Sequence, residues 1–196
     1  MKKVFFLSIT LTLTLIASSQ EFAKQVNTAR SAYASGKLDD SRFAMQQMLQ
    51  EIDMVIGKEV LKILPSKMEE QAASTSKDQV TGTSGFIGTA IHREYGTADK
   101  MISLDIITNS PLIGTFNAIL SVPLIANTGD QKVIKIDGYK AVVQKVSGGT
   151  EGASDYEVQL PLHNNLITLK APGYSQEQVI KMANTLPTSQ IAKMLQ

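Results

Sequence analysis

In a chain with no cysteine, the two histidines, His92 and His163, are the first residues to ask about chemistry. An imidazole changes charge near neutral pH and serves as a general base or a metal ligand. His92 falls in an alternating stretch with Glu94, followed by Asp99 and Asp105, while His163 sits in a turn. Zinc asks for three or four ligands. Without thiolates these would have to be His, Asp or Glu from separate segments, and no histidine pair has ligand spacing. No metal and no cofactor is expected. A Ser-His-Asp triad gathers distant residues, yet there is no Gly-x-Ser-x-Gly elbow to expose a serine. Asp and Glu are scattered along helices and turns. Aromatic residues make up 6% of the chain and tryptophan is absent, which argues against a glycoside-hydrolysing carboxylate pair with stacking platforms. No catalytic residue is assigned.

The glycine-rich run Thr81–Gly88 has a phosphate-loop flavour but lacks the Lys-Ser/Thr pair. Its glycines are better read as relieving crowding at the start of a strand. The segment from Ile106 to Gly129 is more unusual, with twenty-four residues and no charge. Pro111 and Pro123 interrupt it, so it does not read as a membrane span. Within it Leu112, Ile113, Phe116, Ile119 and Leu120 recur at helical spacing. Such a face either packs on a core or docks a partner, and these five are the candidate binding residues. The helix has no Lys or Arg on its polar side, unlike helices that lie on membranes. Met45, Met48 and Met54 crowd an earlier helix, where core filling is the simpler reading.

These residues need elements to hold them. Phe22, Val26, Ala29 and Tyr33 form one helical stripe, closed by Gly36. Phe43, Met45, Met48, Leu49, Ile52, Ile56, Val60 and Ile63 form a second, ended by Pro65, giving an antiparallel helical hairpin over residues 20–66. Residues 67–88 are small and polar and read as a linker or loop. Three strand pairs follow, with turns at Gly96–Asp99, Asp137-Gly138 and His163–Asn165; Asp-Gly between alternating runs is the firmest hairpin signal. Ser175-Gln176-Glu177-Gln178 fits a capping box, and Thr188 is placed as the cap of a last short helix. Residues 89–196 thus form an antiparallel sheet of about six strands with helices packed against it. The fold class is α+β.

Lys2 and Lys3, the apolar run Val4–Ile16, and the small residues Ala17-Ser18-Ser19 follow the order of a secretory signal peptide, with cleavage before Gln20. Removing residues 1–19 leaves 177 residues, 17 basic against 18 acidic, and no run long enough to span a bilayer. A periplasmic or secreted bacterial protein is expected. The near-neutral charge provides no field for nucleic acid. A composition of 43% hydrophobic and 19% charged residues reads as globular.

Val26 to Ile52, with Ala29, Ala32, Gly36 and the run Leu38–Ala44, resembles a single tetratricopeptide unit. Three hairpins ending in Leu169–Val179, which carries the capped helix, are similar to the close of small exported sandwich domains of the PsbP/Mog1 type. That resemblance implies a non-catalytic assembly or accessory module. The expected function is an exported, soluble, non-enzymatic binding or accessory protein that buries the five residues above against an unknown protein partner. The alternatives are a periplasmic carrier of a small apolar ligand and a hydrolase with a dispersed site.

Overall fold

Glycine at position 36, with φ at +72°, lets the chain reverse after the first helix. The Lys37 and Gly36 amides donate to the Ala32 and Tyr33 carbonyls at 2.9 and 3.0 Å, a Schellman closure. In the computed structural model, which describes residues 5–82, 88–97, 100–121, 130–146 and 155–196, helices α1 (Phe5–Ala34) and α2 (Leu38–Ile63) flank that turn. Ala29, Ala32 and Ala44 are buried between them. Small side chains there let the Ser41 hydroxyl reach the Ala29 carbonyl at 3.0 Å. The chain divides into two compact units, residues 1–52 and 53–196, so α2 contributes to both. Among the described residues, no helix is long and apolar enough to cross a membrane.

The second unit is built on a seven-stranded antiparallel sheet, one strand more than expected. Its strands are β3 (Gln79–Gly82), β4 (Thr89–Tyr95), β5 (Ile102–Ile107), β6 (Gln131–Ile136), β7 (Tyr139–Val146), β8 (Asp155–Leu162) and β9 (Asn165–Ala171), arranged β3-β4-β5-β9-β8-β7-β6. A two-stranded pair, β1 (Lys67–Met68) and β2 (Gln71–Ala72), precedes it. The α+β reading therefore holds. The span 67–82, expected to be linker, instead holds three strands and a 3₁₀ turn (Thr75–Lys77). The reason is physical: β3 is an edge strand, paired with β4 from Gln79↔His92 to Gly82↔Thr89. It is held by backbone bonds and buries no side chain fully, so it leaves no apolar alternation in the sequence.

The helices α4 (Gln176–Ala183) and α5 (Thr188–Met194), with Val60, Leu61 and Leu64 of the α2 end, cover one face of the sheet. There they meet Ile91, Leu104, Ile106, Leu160, Ile167 and Leu169, all almost wholly buried. Gly57 is required at this contact, because a Cβ would lie 2.7 Å from Val80 Cγ1. The Asp137-Gly138 turn has both φ angles positive, +48° and +86°, as a tight hairpin demands. The last hairpin turns through two residues only, since Leu162 pairs with Asn165, and His163 takes the strained φ of +54°. Ser175 and Gln178 complete the expected capping box. Thr188 does not cap α5, because it lies inside the helix and is buried. The Asp137 carboxylate accepts from the Ser189 amide instead, at 2.8 Å, so a hairpin turn caps a helix 52 residues away in sequence.

Candidate functional site

Alternation along β7 and β9 sends Val142 and Leu166 to the face opposite the main core. On that face sits α3 (Ile113–Ser121). Phe116 is buried against Val142 and Leu166, and Ile113, Ile119 and Leu120 pack half-buried around it. Leu112, just ahead of the helix, remains 50% exposed. Four of the five sequence candidates thus close a small second core, and one points to solvent. The Ser110 amide fixes the helix start by donating to the Asn164 carbonyl at 2.8 Å. Residues 122–129 of the uncharged segment lie outside the described residues.

Beyond α3 the same face is polar, and strand register writes its residues in rows. One row runs Gln79, His92, Asp105, Thr168, Gln159 across β3, β4, β5, β9 and β8. A neighbouring row runs Glu94, Ser103, Lys170, Glu157, Gln144, Gln131. On the α3 side lies an apolar row of Ala90, Ile107 and Leu166. A cleft of about 270 Å³ opens over the first row, lined by His92, Asp105, Thr168, Lys170 and Ile107 among others. None of this arrangement is visible in the sequence as a motif. The signal that could have revealed it is parity: in β9, Thr168 and Lys170 alternate with the buried Ile167 and Leu169.

His92 Nδ1 lies 2.6 Å from Asp105 Oδ1, and its Nε2 lies 3.7 Å from Glu94 Oε1. Both ring nitrogens therefore face carboxylates. Lys77 bonds Glu94 at 2.7 Å and, with a smaller contribution from His92, holds its carboxyl below the usual carboxylate range. Glu157 is buried and accepts from the Gln144 and Gln159 amides. The Gln159 carbonyl oxygen is buried without a partner. Lys170 is exposed and has no ion-pair partner among the described residues. His163 lies on the β8–β9 turn, apart from these groups. Among the described residues there is no group of three His, Asp or Glu that could hold a metal ion. Asp99, the remaining acidic candidate, lies outside them.

Asp105 fixes the His92 ring through Nδ1, while Glu94 stands 3.7 Å from Nε2, beyond hydrogen-bond length. The cleft brings together the Lys170 ammonium, the Thr168 hydroxyl, the Asp105 carboxylate and the apolar side chain of Ile107. No family model, curated protein or solved structure matches this chain.

Proposed function

We propose that the protein is an exported, non-enzymatic binding protein whose receptor face is the polar half of the sheet beyond α3. The observation that carries this reading is the contrast between the two ring nitrogens of His92, both turned to carboxylates, and Lys170 in the same cleft, which has no ion-pair partner among the described residues. The first supports a held imidazole over a general base poised on a nucleophile. The second leaves a charge free for a ligand. A molecule with an acidic group and an apolar body fits best: its anion meets Lys170 and its body lies along Ile107 and the α3 rim. This merges the carrier reading with the accessory reading, and agrees with the non-catalytic character implied by the PsbP/Mog1-type likeness. Export rests on the basic, apolar, small order of residues 2–19.

Native mass spectrometry of protein recovered from its own host tests the proposal. A bound mass is expected, and Lys170→Glu should reduce its occupancy at least tenfold without lowering thermal stability. Recovery of the wild-type protein free of any ligand overturns it, as does unchanged occupancy in the variant. A second reading, docking of a protein partner on α3, is favoured by the exposure of Leu112. In that case Leu112→Asp, rather than Lys170→Glu, abolishes recovery of the partner.

A further inference from the structure

The helical hairpin exposes more apolar surface than its own fold uses. On α2, Leu38, Met45, Leu49 and Ile52 are 61%, 48%, 61% and 42% exposed. A turn of 100° per residue places all four within a narrow stripe, beside the face that Ser41 and Ala44 turn toward α1. On α1 the same geometry brings Val26 and Tyr33, 41% and 67% exposed, to that side of the hairpin. The opposite side is a shallow groove lined by residues such as Asn27, Ser31 and Ser35, with Phe43, 63% exposed, among them. Six of the seven large apolar side chains exposed in residues 20–52 lie on the first face, and Phe43 alone lies on the other.

We propose that this face is the seat of a two-fold homodimer in which the α2 helices of two copies run antiparallel. Three observations point to a second copy. Three of the four are spaced as their own mirror image: Leu38 and Ile52 each stand seven residues from Met45. An antiparallel pair centred on Met45 therefore sets Leu38 of one copy on Ile52 of the other and Met45 on Met45, with Leu49 filling the gap between Met45 and Ile52 on its own helix. A seven-residue repeat is also the one that keeps a seam facing a partner helix. Residues 20–52 carry four basic and four acidic side chains, so like copies meet without net repulsion, and there is no cationic excess to favour an anionic membrane. Finally, six half-exposed apolar side chains amount to on the order of 1,000 Å² over two copies, near the threshold of a specific interface.

The absence of native cysteine makes the geometry directly testable. Sedimentation of the wild-type protein at tens of micromolar should give a dimer that dissociates on dilution. With a short thiol–thiol crosslinker, Met45→Cys should yield covalent dimer by itself. Leu38→Cys and Ile52→Cys should each remain monomeric alone and crosslink when mixed. Met45→Glu with Leu49→Glu should abolish the dimer while leaving the unfolding of the sheet unit unchanged. A wild-type protein that sediments as a monomer throughout overturns the proposal. So does crosslinking with a different pattern of partners, or a monomer that binds neutral lipid vesicles through this stripe.

Discussion

Tyr95 shows what a buried polar atom does when geometry leaves it unbonded. Its ring fills the core with no exposure, and its hydroxyl completes no hydrogen bond. Burial pushes its pKa up to about 12, although the nearby Arg93 guanidinium draws it back. Arg93 itself is buried and engaged by Asp78, with Nε donating to Oδ1 at 2.8 Å. An unfolded tyrosine ionises near 10, so the folded state resists losing this proton. Stability from this group is complete below pH 10 and is lost as the pH rises toward 12. Tyr95→Phe removes both effects. Relative to wild type it should gain about 1 kcal/mol at neutral pH, since an unsatisfied hydroxyl leaves the core. That gain should widen between pH 10 and 12, as read by urea unfolding at each pH. Subtracting the phenolate titration of the variant from that of wild type should leave one transition near 12; a single transition near 10 would refute the assignment. Little of this was legible beforehand, because alternation shows that Arg93 and Tyr95 share a face of β4 but cannot show that Asp78 comes from a segment resembling a linker.

Elements were legible to the extent that their signal is local. The Asp137-Gly138 turn, the Ser175 capping box and the Gly36 closure each depend on residues within a few positions, and all three form as the sequence indicates. Edge strand β3 and the cap on α5 depend on partners far along the chain, Thr89–His92 and Asp137, and were missed. Helix α3 is intermediate: its periodicity revealed the stripe, but not that Phe116 would turn onto Val142 and Leu166. Gly88 is a case where the local reading and the tertiary one agree. A Cβ there would sit 2.1 Å from Thr108 Oγ1 and 2.8 Å from the Thr108 carbonyl oxygen. Neither contact is tolerable, and Thr108 Oγ1 is itself committed to the Thr89 amide at 2.7 Å. Gly88→Ala should therefore destabilise the protein by about 1–3 kcal/mol, the usual cost of overpacking. Adding Thr108→Ala should recover only part of the loss, because the carbonyl clash remains. Full recovery in chemical denaturation would mean that the backbone contact is relieved some other way.

At the scale of the molecule, the division of labour falls inside a helix rather than between helices. The sequence suggests a boundary after Pro65, where helical periodicity stops. The compact units part between Ile52 and Asp53, because the last turns of α2 belong to the sheet. Val60 is fully buried there and Leu61 and Leu64 nearly so, all three in the main core. Periodicity alone could not show this, since one uninterrupted stripe runs through residues that serve two different cores. The consequence is a sharp prediction for truncation. A chain beginning at residue 53 keeps the three side chains that seal the helix-covered face, and should unfold cooperatively with the far-UV signature of an antiparallel sheet. A chain beginning at residue 65 loses all three, each worth about 1.5–3 kcal/mol when fully buried. Domains of this size are stable by only about 5–15 kcal/mol, so it should be unfolded or aggregated. Equal stability of the two fragments would show that α2 is dispensable to the sheet, and a disordered 53–196 fragment would show that the hairpin is needed to fold it.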